Sequence, residues 1–227
     1  NSIENCNLKD NSQNLILGDG NINSPIMLIG EAPGAEEDKT STTFKGGVGE
    51  LLNKMLLAIE IKRQSIYCCY AINFRPPEDR KPTAQEIRRY SVFLKEHISI
   101  IDPKIIILMG SSAMEAVTGI NSKISSERGK WKETILKNKS YPLMISFNPS
   151  YLIRFPENKK YSWKDLKKIK QKINEMKIVI WFYMIEKHKN LISGYKKIFN
   201  ISNYGLLWIS FIKGVLVGLL IYHFIII

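Results

Sequence analysis

The sequence contains few residues of the kinds that build disulfide frameworks and metal sites. Its 227 residues include 3 cysteines and 3 histidines. Cys68 and Cys69 are adjacent within an apolar run, so they and Cys6 are not expected to form a disulfide framework. We expect reduced, largely structural thiols of an intracellular protein. The first residues are polar and rich in asparagine, which is not the pattern of a secretory signal and favours a cytoplasmic location.

Acidic residues are outnumbered by basic ones. The chain has 33 Lys and Arg against 21 Asp and Glu, which gives a formal net charge of +12. Such an excess suits a polyanion such as DNA, or an anionic membrane surface, because each contacted phosphate releases counterions. A bias toward AT-rich codons, which raises the Lys, Ile and Asn content together, explains the same excess. The charge by itself leaves both explanations open.

Long apolar runs are missing until the end of the chain. The run at 178–185 is too short to span a membrane, whereas 205–227 has Lys213 as its one charged residue and can cross about 30 Å of hydrocarbon. We therefore expect a globular domain over 1–175, a basic linker over 176–204 and a transmembrane or hydrophobic tail helix over 205–227. Lysines before the tail predict a cytoplasmic domain anchored to the inner membrane. The alternative is that the tail is a fused or read-through segment.

Short apolar runs alternate with helical periods through the first domain. This alternation is typical of a parallel sheet covered by helices on both faces. We predict an α/β fold, a three-layer α/β/α sandwich around a short, mainly four-stranded parallel sheet. Ligands bind such folds beyond the carboxyl ends of the strands, so the turns after strands one, two and four are the informative ones. The predicted strands are 26–29, 66–72, 105–109 and 143–147, and the predicted helices are 48–59, 83–101, 110–117 and 163–176.

A turn rich in glycine follows the first predicted strand. Gly30-Glu31-Ala32-Pro33-Gly34 forces the chain to turn tightly and exposes backbone N–H groups beside one carboxylate. Further along, Phe44 and the glycine loop at 45–49 bring an aromatic ring and flexible backbone close to that carboxylate. Glu36-Glu37-Asp38 lies between them. Three neighbouring acids are a potential metal site, yet no His lies near them, and we expect solvated side chains on a loop.

Five blocks of residues carry a resemblance to a known family. They are Gly18-Asp19-Gly20-Asn21, the blocks at 30–38 and 44–52, the Arg-Pro-Pro block at 75–82, and Asn148-Pro149-Ser150-Tyr151-Leu152. In this order and with this spacing they resemble the iron–sulfur, or family 4, uracil-DNA glycosylases over roughly 6–175. The last block matches a motif usually written His-Pro-Ser-x-Leu. The resemblance implies that the chain acts on DNA, and we expect a monomer.

A DNA base-excision repair enzyme is the function that the resemblance implies. Such enzymes flip uracil, or a related deaminated base, out of DNA and hydrolyse its N-glycosidic bond. Glu31 would activate water and offset positive charge on the sugar, while Asn148 would donate to the base. The base pocket would comprise Gly30, Ala32, Pro33, Gly34, Phe44 and Tyr70, with Phe44 stacked on the base. Phosphate contacts and the wedge that fills the vacated stack would come from Arg75, Arg80, Pro149, Ser150, Leu152 and Arg154.

Two positions depart from the family's pattern. Asn148 stands where the motif opens with His, although an amide still donates a neutral hydrogen bond. Tyr70 stands at the family's uracil-reading Asn and lacks the paired donor and acceptor of an amide; a small shift of the alignment would place Asn73 there instead. These departures leave an alternative, a catalytically impaired, membrane-tethered DNA-binding protein on the same scaffold. The fused tail suggests a third, a decaying gene product.

The family's cluster ligands are mostly replaced as well. In the family that the chain resembles, four cysteines hold the cluster. The matching positions in this sequence are Ile3, Cys6, Phe74 and Tyr90, and only Cys6 is a thiol. A 4Fe-4S cluster needs four thiolates. We therefore predict no cofactor and no metal. Phe74 and Tyr90 are expected to fill the space as a packed aromatic plug.

Overall fold

The computed structural model describes residues 7–176, 211, 212 and 215. The chain divides into two compact units, Asn1–Gln171 and Lys172–Ile227. In the second unit the described residues are helical, and most of the predicted linker and tail lies outside the described part. Within the described residues, no helix has both the length and the apolar character needed to cross a membrane.

A sheet of six strands forms the centre of the first unit. The strands are β1 (Asp19–Gly20), β2 (Ile26–Gly30), β3 (Tyr67–Tyr70), β4 (Ile105–Met109), β5 (Trp131–Leu136) and β6 (Lys139–Ser146). Their order is β1-β3-β2-β4-β6-β5. The four inner strands are parallel to one another, and β1 and β5 pair antiparallel with β3 and β6 at the two edges. The predicted α/β fold with four parallel strands is confirmed.

The sequence does not predict the two edge strands. β1 has 2 residues, too few for a pattern. β5 is partly exposed along most of its length, and so it lacks the continuous apolar character of the inner strands. It is joined to β6 by Lys137 and Asn138, which both have positive φ, 47° and 63°. This is the backbone of a tight hairpin turn, but the glycine that usually signals one is missing.

Helices cover the sheet of the first unit. They are α1 (Asn7–Asn11), α2 (Ala35–Thr40), α3 (Gly46–Leu57), α4 (Ala84–Ile101), α5 (Ser111–Thr118), α6 (Ile124–Glu127), α7 (Pro149–Arg154) and α8, which covers 159–171 of the first unit. Residues 172–176 of the second unit are helical too. Short 3-10 turns occur at Arg63–Ser65, Pro77–Asp79 and Pro156–Asn158.

The start of α4 shows how local sequence fixes an element. The spacing of Thr83 and Glu86 predicts a capping box. The Thr83 hydroxyl accepts from the Glu86 N–H at 3.3 Å, and the Glu86 carboxylate accepts from the Thr83 N–H at 2.7 Å. The helix then buries Ile87, Tyr90 and Leu94 against the sheet. The predicted cap and the predicted helix are both confirmed.

The parallel strands bring four chain segments to one edge of the sheet. Gly30 at the end of β2 is paired with Tyr70 at the end of β3, and Met109 of β4 with Ser146 of β6. β2, β3 and β4 are buried along their length, including the thiols of β3, and β6 is buried over its last four residues. The turns that leave this edge therefore stand on a rigid base, as the ligand site of such a fold requires.

Candidate active site

A cleft of about 460 Å³ opens at the carboxyl edge of the sheet. Most residues that the sequence predicts for the site line it. They are Glu31, Ala32, Pro33, Gly34, Phe44, Tyr70, Arg80, Asn148, Ser150 and Arg154. Gly30, Arg75, Pro149 and Leu152 do not line it. The structure thus brings the turn after β2, the end of β3 and the turn after β6 together around one cavity.

Glu31 lies at the centre of the cleft, and its carboxylate is held from both sides. Oε1 accepts from the Ser112 backbone N–H at 2.9 Å and from the Ser111 hydroxyl at 3.2 Å. Oε2 accepts from the Asn148 side-chain amide at 3.1 Å. The first two donors belong to the N-terminus of α5, where the helix dipole favours negative charge. These contacts fix the position of an acidic group in the cleft.

Gly110 makes this contact possible. Its φ is 110°, which side-chain-bearing residues rarely adopt, and a Cβ at this position would overlap the Glu31 carboxylate. The sequence-based prediction selects other turns and passes over this one after β4, so it misses Ser111 and Ser112 as donors to Glu31. The available signal is the Gly-Ser-Ser sequence where a strand meets a helix, since such a junction exposes backbone N–H groups.

Asn148 uses both ends of its side-chain amide. Its Oδ1 accepts from the N–H and from the hydroxyl of Ser150, both at 3.0 Å, and so caps α7. Its Nδ2 donates to Glu31. The cap fixes which way the amide faces, and Pro149 at the first helical position supports the same turn. One N–H of Nδ2 is left to donate to a ligand in the cleft.

Tyr70 closes one end of the cleft. Its hydroxyl accepts from the Phe44 backbone N–H at 2.8 Å and donates to Glu37 Oε1 at 3.3 Å. Burial, with Glu37 beside it, raises the pKa of this phenol well above its usual value. The Tyr70 and Phe44 ring centroids are 4.9 Å apart, and a Cβ on Gly30 would overlap both rings. The hydroxyl is therefore neutral, and its one O–H is already used in the hydrogen bond to Glu37.

The acidic group Glu36-Glu37-Asp38 is not a solvated loop as predicted. Glu37 and Asp38 are buried, and Glu36 is exposed. Glu37 accepts from the Gly34 N–H at 3.0 Å and the Lys45 N–H at 2.9 Å, whereas Asp38 accepts from the backbone of Gln13 and Asn14. The expectation was wrong for two of the three acids because their partners are backbone N–H groups, which leave no sequence pattern. No group of metal ligands occurs among the described residues.

Asn73, the alternative to Tyr70, lies outside the cleft lining. Its side-chain amide donates to the Ile16 carbonyl at 2.9 Å and so ties β3 to the segment before β1. Tyr70 ends β3 and lines the cleft. In this chain a tyrosine thus occupies the position at the end of β3.

The basic and apolar residues predicted to contact DNA fall into two groups. Arg80 and Arg154 line the cleft, and Arg80 also pairs with Glu86 at 2.7 Å. Arg75 does not line the cleft, and it pairs at 2.7 Å with Asp79, which does. Leu152 is 1% exposed, whereas the next residue, Ile153, is 46% exposed. In this conformation α7 therefore presents Ile153, not the predicted wedge residue Leu152, to solvent.

Two of the four positions implied as cluster ligands lie in the described part. Phe74 and Tyr90 are buried, and their rings meet edge to face with centroids 6.4 Å apart. Leu8 belongs to the same core. Aromatic rings supply no thiolate, so these side chains do not fit a 4Fe-4S cluster. Ile3 and Cys6 lie outside the described residues.

Comparison with known proteins agrees with this geometry. A model of the uracil DNA glycosylase superfamily matches residues 17–170. A type-4 uracil-DNA glycosylase of Thermotoga maritima is 37% identical over 154 residues, which is 67% of this chain and 79% of the relative. One of Sulfurisphaera tokodaii is 33% identical over 75% of this chain and 80% of the relative, and one of Archaeoglobus fulgidus 27% identical over 81% and 94%. The chain belongs to the uracil DNA glycosylase superfamily, as a hydrolase of that kind.

Proposed function

We propose that this protein is a DNA base-excision repair glycosylase that removes uracil, or a related deaminated base, after the nucleotide has flipped into the cleft. The observation that carries the proposal is Glu31, a carboxylate held by three donors in the lined cavity. Relatives that cover most of the chain are named type-4 uracil-DNA glycosylases. The net charge of +12 suits a DNA substrate.

The geometry of the cleft suits cleavage of an N-glycosidic bond. Breaking this bond leaves positive charge on the sugar and negative charge on the departing base. The fixed Glu31 carboxylate offsets the positive charge and orients a water molecule for attack. The free N–H of Asn148 Nδ2 donates to the anionic base, and one such donor is commonly worth about 2.7–4 kcal/mol of barrier. Phe44 supplies an aromatic face for the base.

Recognition of the base is where this chain differs most from the pattern it resembles. Uracil presents a carbonyl and an N–H side by side, which one amide side chain can read. Tyr70 offers one hydroxyl, and that hydroxyl already bonds to the protein. We infer a weaker preference for uracil over other deaminated bases, since a site selects strongly only where its own polar groups would otherwise stay unpaired.

The protein is also proposed to work without an iron–sulfur cluster. Phe74 and Tyr90 support this view because they fill two of the four ligand positions with packed rings. The buried contact between these two rings stabilises the fold at the place where a cluster would link the chain. Hydrolysis by the residues above needs no redox group.

A second candidate function is favoured by Tyr70. If the cleft accepts no base, the chain is a catalytically impaired DNA-binding protein tethered by its tail. Arg154 and Lys81 line the cleft and form no ion pair with another described residue, so they serve this function equally well. It predicts DNA binding that falls steeply with salt and no release of any base.

One assay separates the two candidates. The full-length chain is incubated with single-stranded and mismatched DNA that carries uracil, hypoxanthine or xanthine at one position, and abasic sites are cleaved with alkali. The proposed function predicts strand cleavage at that position for at least one base. Salt-sensitive binding without cleavage of any substrate would establish the second candidate.

From residues 205–227 we further propose attachment to the inner membrane, with the glycosylase domain in the cytoplasm. Cell fractionation tests this point. The protein should stay in the membrane pellet after an alkaline carbonate wash, whereas recovery in the supernatant would favour a fused, non-inserted tail.

A further inference from the structure

A second cavity of about 630 Å³ adjoins the cleft. The two share the side chains of Lys81, Ser111, Ile124, Phe147 and Tyr151. Lys123 and Tyr161 line the second cavity but not the cleft. The roles proposed for the cleft use neither of them, so this cavity is left without a function.

The walls of the second cavity are aromatic and rigidly supported. Phe147 and Tyr151 stack with centroids 4.9 Å apart and 28° between their planes. The Arg128 guanidinium carbon lies 5.5 Å from the Phe147 ring centre and 5.3 Å from that of Tyr161. Arg128 itself is held by the buried carboxylate of Asp165 and by the Tyr161 carbonyl. Because these contacts already hold the rings in place, a ligand that binds here would lose little free energy to ordering them.

Positive charge lies at the rim of this cavity. Lys81 and Lys123 are exposed lining residues, and neither forms an ion pair with another described residue. Tyr161 is 38% exposed, so its ring is accessible. Aromatic faces beside free cations form the combination that binds single-stranded nucleic acid, because bases stack and phosphates pair with the cations.

We propose that the second cavity binds the nucleotide next to the one whose base enters the cleft. Its base would stack on the exposed ring of Tyr161, and Lys81 and Lys123 would pair with its phosphate. Two neighbouring bases can occupy two separate cavities only when both have left a duplex stack. The site thus fits single-stranded DNA. This inference rests on the proposed function, because it takes the cleft as the site of the target base.

A binding experiment tests the inference without requiring catalysis. The probe is a fluorescein-labelled single-stranded oligonucleotide with a tetrahydrofuran abasic unit at the target position, bound to the full-length chain and followed by anisotropy. In two further probes the neighbouring base on the 5′ side or the 3′ side is also removed. We expect one of these to bind about fivefold more weakly or worse, as loss of a stacked base commonly causes.

Variants connect that loss to the second cavity. Tyr161→Ala should weaken binding of the first probe about fivefold or more, and should show no further loss when the neighbouring base is removed. Trp163→Ala is the matched control, since Trp163 is 43% exposed on the same helix and lines neither cavity. It should bind like the wild type. Lys123→Gln should lower the slope of log Kd against log salt by about 0.7, and Lys104→Gln should not.

The outcomes separate this inference from the proposed function. If removal of the 5′ base and removal of the 3′ base both leave wild-type affinity unchanged, the inference is wrong whatever the variants do. Equal losses in Tyr161→Ala and Trp163→Ala would overturn it too. Release of uracil or another base from a matching oligonucleotide reports on the proposed function separately.

Discussion

The side-chain amide of Asn148 donates a 3.1 Å hydrogen bond to the carboxylate of Glu31, across 117 positions of sequence. The same amide caps α7 through its oxygen, so one side chain links the acidic group of the cleft to the helix that follows β6. Asn148 therefore positions Glu31 in addition to offering a donor to the base.

Asn148→Asp tests this link with almost no change in shape. The new carboxylate can still cap α7, but it places an oxygen against Glu31 where a donor stood. We expect a loss of about 1–3 kcal/mol in the free energy of unfolding at neutral pH, measured with urea, because the hydrogen bond is lost and the two neighbouring carboxylates repel each other. Base release should fall about a hundredfold or more. An unchanged unfolding curve at both neutral and acidic pH would show that the hydrogen bond contributes nothing.

Tyr70→Asn tests the account of base selectivity. It restores an amide at the end of β3, and we expect uracil release to rise about tenfold or more relative to hypoxanthine and xanthine release, as a paired amide discriminates by its hydrogen bonds. The comparison is the ratio of kcat/KM values on single-stranded substrates.

Tyr70→Phe is the control, because it keeps the ring and removes the hydroxyl that Phe44 and Glu37 contact. It should lower stability by about 1–3 kcal/mol and leave the selectivity ratio unchanged. If the kcat/KM ratio of uracil to the other bases does not rise in a folded Tyr70→Asn variant, Tyr70 does not determine base selectivity.

His97 makes folding stability depend on pH. Its Nε2 lies 2.9 Å from the Tyr67 hydroxyl, and burial lowers its pKa. The unfolded chain therefore takes up a proton at a higher pH than the folded chain does, so stability falls as the pH drops through about 6.5. Urea unfolding at about pH 7.5 and 5.5 should show a larger loss for the wild type than for His97→Gln. Equal losses in the two proteins would assign the pH dependence to other groups.

The aromatic plug at Phe74 should carry stability in place of a cluster. Phe74→Ala is expected to cost about 3–5 kcal/mol of unfolding free energy, as for other buried rings. Phe93→Ala is a suitable control, since Phe93 also contacts Tyr90 but is 38% exposed, and it should cost much less. Iron and sulfide analysis of the anaerobically purified full-length chain should find neither in a stoichiometric amount. Near-stoichiometric iron would contradict the proposal.

The inner strands and α4 could be predicted because their signals are local. β4 is a continuous apolar run. Thr83 and Glu86 have the three-residue spacing of a capping box, which predicts the start of α4. β5 could not be predicted, since its exposed face breaks the apolar run and its hairpin turn uses Lys137 and Asn138 in place of glycine.

The site divides in the same way. Glu31, Phe44 and Asn148 belong to motifs of ordered spacing and meet in the cleft as expected. The donors from α5 and the burial of Glu37 depend on backbone N–H groups that tertiary folding delivers. A sequence pattern carries no trace of such partners, so these features could be seen only in three dimensions.

The central claim is that Glu31 drives base release, and one comparison tests it most directly. The full-length wild type, Glu31→Gln and Glu36→Gln are assayed in single-turnover reactions on single-stranded DNA with one uracil, alongside DNA binding by anisotropy. Glu36 is exposed on α2, the helix that follows the turn of Glu31, and is the matched control. The account predicts alkali-labile sites with the wild type and Glu36→Gln, and a rate about a hundredfold lower or worse for Glu31→Gln at similar affinity. A Glu31→Gln rate equal to that of the wild type would contradict it.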